Sequence, residues 1–245
     1  YKMHVLSGPV TLHEGDMFAQ HTEQMHPLGA KGYAENGDIY RYAKLAADVS
    51  AGYLLVGLST ESLHCDIAVT TANVVGDTSV VGTPGATAVD ANEYDEGWLI
   101  FNDVSPEGET YQVTKHDAST AGGEDITVWI EPKLKTACTI DSSEVSLIRN
   151  AWNIPSIGQN VAEVAAGVPM QDWDLSAYEQ YGWLKTRGIA AVLGDGTITD
   201  GVQVCISNGT DGAVGACTSI TEIVIGQLQD AAASGEYHPV NLLID

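Results

Sequence analysis

The spacing His21-x-Glu23-x-x-His26 is the closest approach in this chain to a metal-binding cluster, because imidazole nitrogens and carboxylates are good zinc ligands. The segment around it lacks the helical patterning that would hold both rings on one face, so polar surface residues are the expected reading. His13-Glu14 begins like the zinc-protease helix motif, but position 17 is Met where the second His belongs. Residues 195–201, Asp-Gly-Thr-Ile-Thr-Asp-Gly, have the carboxylates of a calcium loop without its alternating ligands or closing bidentate Glu. A hairpin turn accounts for the same letters. Cys205 and Cys217 bracket Asn208-Gly209-Thr210-Asp211-Gly212. If that loop closes a hairpin, the two sulfurs face each other across adjacent strands. Two readings stay open there: a disulfide, or two small buried apolar side chains, the state that cytosolic synthesis favours.

No nucleophile elbow, phosphate loop or dinucleotide fingerprint is present, and nothing gives a positive reason to propose an enzyme or a cofactor. The five Trp could offer stacking surfaces for sugars. Trp98, Trp129 and Trp183 sit in strand-like patterns and are expected in the core. Trp152 and Trp173 sit among polar residues and are the better candidates for an interface or a ligand.

The elements that must position these residues are β-strands. In 245 residues, Gly reaches 26, against roughly 17 expected from average usage of about 7%, and Phe falls to 2. Strand-like runs at 39–44, 52–58, 66–71, 97–102, 109–115, 125–131 and 144–149 are separated by turn-rich pieces rather than helices. The pattern resumes at 181–186, 189–193, 202–207, 213–217, 220–228 and 237–244. A short helical turn is expected at 227–233. The fold class is therefore mainly β, with antiparallel strands in barrel- or sandwich-like lobes and little helix. Four pieces are expected: an extended N-terminal arm (1–37), a β-rich lobe (38–150), an irregular linker or long loop (151–180) and a C-terminal β-rich lobe (181–245). The arm holds three of the four Met, adaptable fillers of uneven apolar surfaces. Candidate interface residues are Met3, Met17, Phe18, Met25, His26 and Tyr33, with Trp152 and Trp173 from the linker.

Charge narrows the partners. Ten Lys and Arg stand against 33 Asp and Glu, a formal net charge of −23. Nucleic-acid affinity rests on Lys and Arg displacing counterions, so nucleic acid is not an expected partner, nor is an anionic membrane surface. No run approaches the roughly 18 apolar residues of a spanning helix, and no signal peptide is expected behind Tyr1-Lys2-Met3-His4. The acidic residues are spread over turns, as in a solvated outer surface.

His26-Pro27-Leu28-Gly29, leading through Gly32 and Gly37 to Ile39-Tyr40-Arg41-Tyr42-Ala43, resembles the opening of head decoration (cement) proteins of tailed bacteriophages. Tyr94-x-x-Gly97-Trp98-Leu99-Ile100-Phe101-Asn102-Asp103, followed by Gly108-Glu109-Thr110-Tyr111-Gln112-Val113, resembles their middle section. Tyr181-Gly182-Trp183-Leu184-Lys185-Thr186-x-Gly188, then Gly212-Ala213-Val214, Ile225-Gly226 and Val240-x-Leu242-x-Ile244-Asp245, continue the likeness to the end. The resemblance implies a structural virion protein without active site or cofactor. It would be made in the host bacterial cytoplasm, bound to the major capsid protein on the outer surface of the head, and self-associated as a homotrimer. The alternative is a glycan- or receptor-binding β module of a phage tail or cell surface.

Overall fold

The computed structural model describes residues 8–158, 164–174, 180–231 and 233–245. The chain is mainly β and divides into two units, one of residues 1–58 with 151–245, the other of residues 59–150 inserted between them. In chain order the larger unit begins with β1 (Val10–Leu12), β2 (Lys31–Ala34), β3 (Ile39–Leu45) and β4 (Leu55–Gly57). The inserted unit supplies β5 (Ile67–Val69), β6 (Ser79–Thr83), β7 (Trp98–Asp103), β8 (Thr110–His116), β9 (Ile126–Glu131) and β10 (Glu144–Ile148). The larger unit resumes with β11 (Ser156–Ile157), β12 (Val164–Pro169), β13 (Gln180–Leu193), β14 (Gln203–Ile206), β15 (Val214–Ala216), β16 (Val224–Leu228) and β17 (Tyr237–Leu243).

The inserted unit is a closed antiparallel barrel in the order β10-β5-β6-β9-β8-β7. Alternation explains it. Ile67 and Val69, Leu99 and Phe101, Tyr111 and Val113, Val145 and Leu147 are all buried two residues apart, so one face of each strand points into a common core. This same alternation turns Trp98 outward, 44% exposed, against the core position expected for it.

The larger unit is an 11-stranded sheet running β1-β2-β3-β13-β17-β16-β14-β15, with β4, β11 and β12 attached beside β13. Its pairings are antiparallel except β1 with β2, which is parallel. A hairpin at Asn36-Gly37, a dipeptide that favours such turns, joins β2 to β3, and Asn36 and Asp38 brace it by hydrogen bonds between Asn36 Nδ2 and Asp38 Oδ2 (2.9 Å) and from the Asp38 N–H to Asn36 Oδ1 (3.0 Å).

Four expectations need correction. The boundary at 37/38 is not where the chain divides, because β3 pairs along most of its length with β13, tying 39–45 to 180–187 across the sequence. The linker at 151–180 contains β11 and β12, both paired into the larger unit. The segment from Val10 onward is not an extended arm: Leu12, Ala34, Tyr40, Tyr42 and Trp183 make a shared core under it. Finally, Gln227 and Leu228, placed in the expected helical turn at 227–233, end β16 instead. The helical pieces among the described residues are short 3-10 turns at Asp16–Phe18 and Ser62–His64. Among the described residues no helix is long and apolar enough to cross a membrane.

The strands expected at 181–186 and 189–193 are one strand, β13, with a register shift between Lys185 and Arg187. Gly188 allows it to continue. Its φ is +101°, and the Asp38 carboxylate, paired with Lys185 Nζ at 2.5 Å, occupies the place where a Cβ would project.

Candidate functional site

The residues expected to do chemistry are mostly used for folding. His21 pairs its backbone with Tyr181 in an isolated bridge (2.8 Å both ways). The His26 ring packs edge-on to Tyr42 (5.1 Å between centroids) and tilts against Trp183 (5.3 Å). Burial there, with His21 nearby, lowers the His26 pKa below 6.5. Asp195 accepts a 2.5 Å hydrogen bond from Ser207 Oγ, which itself accepts from the Gly209 and Thr210 N–H groups. Among the described residues the one group of three metal-ligating side chains is Cys205, Cys217 and Glu222, and there the two sulfurs are bonded to each other.

That disulfide closes the hairpin of β14 and β15, with 5.1 Å between the Cα atoms. Cys65 and Cys138 are free. On denatured, unreduced protein, two reactive thiols are therefore expected. Four would contradict the bond.

A cluster of titratable groups lies in the barrel unit. His64 is buried; its Nε2 faces the Thr87 carbonyl (3.2 Å), so Nδ1 accepts from the Tyr94 hydroxyl at 2.5 Å. His116 holds Asp117 O with Nδ1 (2.8 Å), leaving Nε2 to accept the Tyr94 N–H (3.0 Å). Glu93 pairs with Arg149 (Nε–Oε1 3.1 Å). Burial pushes Glu93 up, but the Arg149 bonds and the Asp90 N–H more than offset it and bring it below its ordinary value. Burial also raises the Tyr94 phenol, as does the neighbouring Glu93 charge. Each of these groups faces another protein group, with His64 and Tyr94 buried and Glu93, His116 and Arg149 partly so, which is the arrangement of a structural network. Its members come from four separate segments, so no spacing in the sequence could have announced it.

The interface candidates separate into two sets. Met17 is half-buried against the core beneath β1 and β2. Trp173 is 3% exposed and packs in the core with Val49, Leu55 and Leu184, so it is no surface contact. Trp152 is half-buried, its Nε1–H donating to Ala166 O (2.9 Å) and its face carrying the Arg41 guanidinium (4.9 Å). Phe18, Met25 and Tyr33 are 47%, 45% and 41% exposed. Met3 lies outside the described residues.

Sequence reading missed two features of the larger unit. The first is Ile220, fully exposed on the loop joining β15 to β16. The Glu222 carboxylate accepts the Thr218 N–H (2.6 Å) and the Thr218 hydroxyl (2.8 Å), and the disulfide anchors Cys217 at the loop's base. Those loop bonds hold the Glu222 pKa down. The second is an open cleft of about 380 Å³, walled by Ala51, Pro169, Met170 and Ala191 and edged by Asp172 and Tyr237. Gly52 forms its floor at φ +78°, where a Cβ would meet the Tyr237 ring at 2.5 Å. No protein-family model matches this chain, and neither a curated protein nor a solved structure matches it significantly.

Proposed function

We propose that this chain is a structural protein of a tailed-bacteriophage head that binds the outer face of the major capsid protein shell and stabilises it, acting as a homotrimer without catalytic activity. The observation that carries the reading is the leading segment of the larger unit. Its inward residues, Leu12, Ala34, Tyr40 and Tyr42, fix it to the sheet, while Phe18, Met25 and Tyr33 stand in water on a chain of net charge −23. Large apolar side chains held on pre-ordered backbone contribute contact area with little further ordering cost, which suits a permanent docking surface. The Ile220 loop adds a second such point. The acidic remainder keeps particles apart and away from packaged DNA.

The test is co-sedimentation with expanded heads of the phage that encodes the protein, stripped of it. The unmodified protein is expected to saturate at a copy number near that of the major capsid protein. A variant with Phe18, Met25 and Tyr33 all changed to Ser is expected to bind at least about tenfold more weakly, with its melting temperature nearly unchanged because these side chains are already exposed. Failure of the unmodified protein to bind heads would refute the proposal.

One observation favours the second reading, a glycan-binding module: Trp98 presents its ring on the outer face of the barrel. Trp129, by contrast, is covered by Lys115, whose Nζ lies 3.8 Å from the ring centroid. Specific binding in a glycan screen that is lost in Trp98→Ala would favour this module over the capsid role.

A further inference from the structure

The cleft beside Tyr237 has the chemistry of a site for an alkylammonium group, and we propose that it takes a lysine side chain presented by a partner protein. Three observations converge. Its lining is mostly apolar, with Ala51, Pro169, Met170 and Ala191 contributing to it. Its volume, about 380 Å³, falls in the range of small-ligand clefts. The polar groups at its edge are of one kind, a carboxylate and a phenol ring, and a cation satisfies both: Asp172 by charge and the face of Tyr237 by its quadrupole.

The carboxylate is positioned rather than free to wander. Asp172 Oδ1 accepts the Ala51 N–H at 2.8 Å, and the Asp172 carbonyl accepts from Gln20 Nε2 at 2.9 Å. Oδ2 meets no protein donor among the described residues. Burial, with Tyr53 and Asp172 nearby, raises the Tyr237 phenol. Gly52 completes the shape. Its N–H binds Pro169 O (2.9 Å), its carbonyl accepts from the Leu193 N–H (2.9 Å), and the absence of a Cβ lets the Tyr237 ring lie against it.

The described basic residues of the larger unit are engaged elsewhere: Arg41 and Lys31 by Asp245, Lys185 by Asp38 and Arg187 by the Asp245 carbonyl, while Lys44 is buried. A net charge of −23 draws cationic segments toward the protein at long range and repels a second acidic copy. This favours a basic segment of a different protein over self-association at this face. The inference stands apart from the capsid reading, since it concerns the ligand and not which assembly supplies it.

The experiment titrates the full-length protein with N-acetyl-lysine N-methylamide and with its norleucine counterpart, which has an apolar side chain and no ammonium, by ligand-observed NMR. The lysine compound is expected to bind in the millimolar range, at least about fivefold more tightly than norleucine, the yield of one exposed ion pair with a cation–π contact. Asp172→Asn keeps an oxygen for the Ala51 N–H and should erase that preference. Tyr237→Phe should retain it, and Tyr237→Ala should lose it. Raising salt from about 0.05 to about 0.5 M on the unmodified protein should weaken lysine binding and spare norleucine, because the Debye length shortens severalfold. Equal binding of the two compounds, a preference surviving Asp172→Asn, or identical salt dependence would each overturn the proposal. If the lysine preference holds and Asp172→Asn still decorates heads normally, the cleft serves a partner other than the capsid. If the preference is absent while heads are bound, the cleft proposal falls and the capsid role stands.

Discussion

Replacing Arg41 with alanine is expected to destabilise the larger unit by about 3 kcal/mol, within the range for breaking a partly buried ion pair, and to lower its melting temperature by about 10 °C. Arg41 makes a two-pronged contact with Asp245, Nε to Oδ2 at 2.7 Å and Nη2 to Oδ1 at 2.5 Å. Its Nη1 donates to Gly29 O at 2.7 Å, and its plane covers Trp152. One side chain thereby ties β3, the 27–30 turn, the ring at 152 and the residue after Ile244 into a single network. Thr186 Oγ1 (2.8 Å) and Lys31 Nζ (3.2 Å) hold the same carboxylate. Arg41→Lys should recover only a small part of the loss, because an ammonium cannot match the fork.

The same network dictates an acid response. Burial alone would raise the Asp245 pKa, but Arg41, Thr186 and Lys31 outweigh it and bring the group from 3.8 to about 2. The unfolded chain therefore binds this proton more readily than the folded one. The stabilisation, about 2 kcal/mol, is complete above the unfolded value near 4 and disappears as pH falls through about 2. Denaturant unfolding of the unmodified protein should show that slope between pH 4 and 2, and Arg41→Ala should flatten it. A variant whose melting temperature drops by less than about 2 °C, or whose acid slope is unchanged, would show that the contact is decorative.

Excising the insertion is expected to yield two folded proteins from one. The barrel core draws on residues 67–147 alone, and ring closure satisfies its strands internally. Residues 59–150 should fold by themselves and melt cooperatively, with an unfolding enthalpy of about 60 kcal/mol near 60 °C. The cut ends in the larger unit are already adjacent: a Cβ on Gly57 would stand 2.8 Å from the Ala151 Cα. A linker of a few residues from 58 to 151 should leave the remaining sheet with its own transition. Calorimetry decides it. A fragment 59–150 without a cooperative transition, or a remainder that aggregates, would mean that each unit needs the other.

The barrel was nearly legible in advance, because five of its six strands are apolar or alternating runs that stand out between turns. β6 did not, since Ser79-Val80-Val81-Gly82-Thr83 breaks the alternation with a glycine at an inward position. In the larger unit β12 was invisible: Val-Ala-Ala-Gly-Val-Pro is buried on both faces from Ala165 onward and so has no period of two to detect. Domain boundaries failed for a different reason. Composition changes near 37 and 180, but the pairing of β3 with β13 is a long-range event that leaves no local mark.

Trp173 was misplaced by its neighbours. Asp172-Trp173-Asp174 reads as polar, yet it is a strand-like alternation whose middle residue turns inward against Val49. The cleft draws on residues 51–52, 169–172, 191 and 237, four stretches that only the sheet brings together.

The closed barrel carries a consequence for life at high density. An open sheet offers backbone donors and acceptors along its outermost strands, and identical molecules packed side by side can zip together through them. A ring of strands has no such seam. Copies arrayed a few nanometres apart on a common support could therefore touch barrel to barrel for the lifetime of the assembly without fusing into fibrils. Crowding of such copies would then be borne by this part of the chain without strand-to-strand fusion.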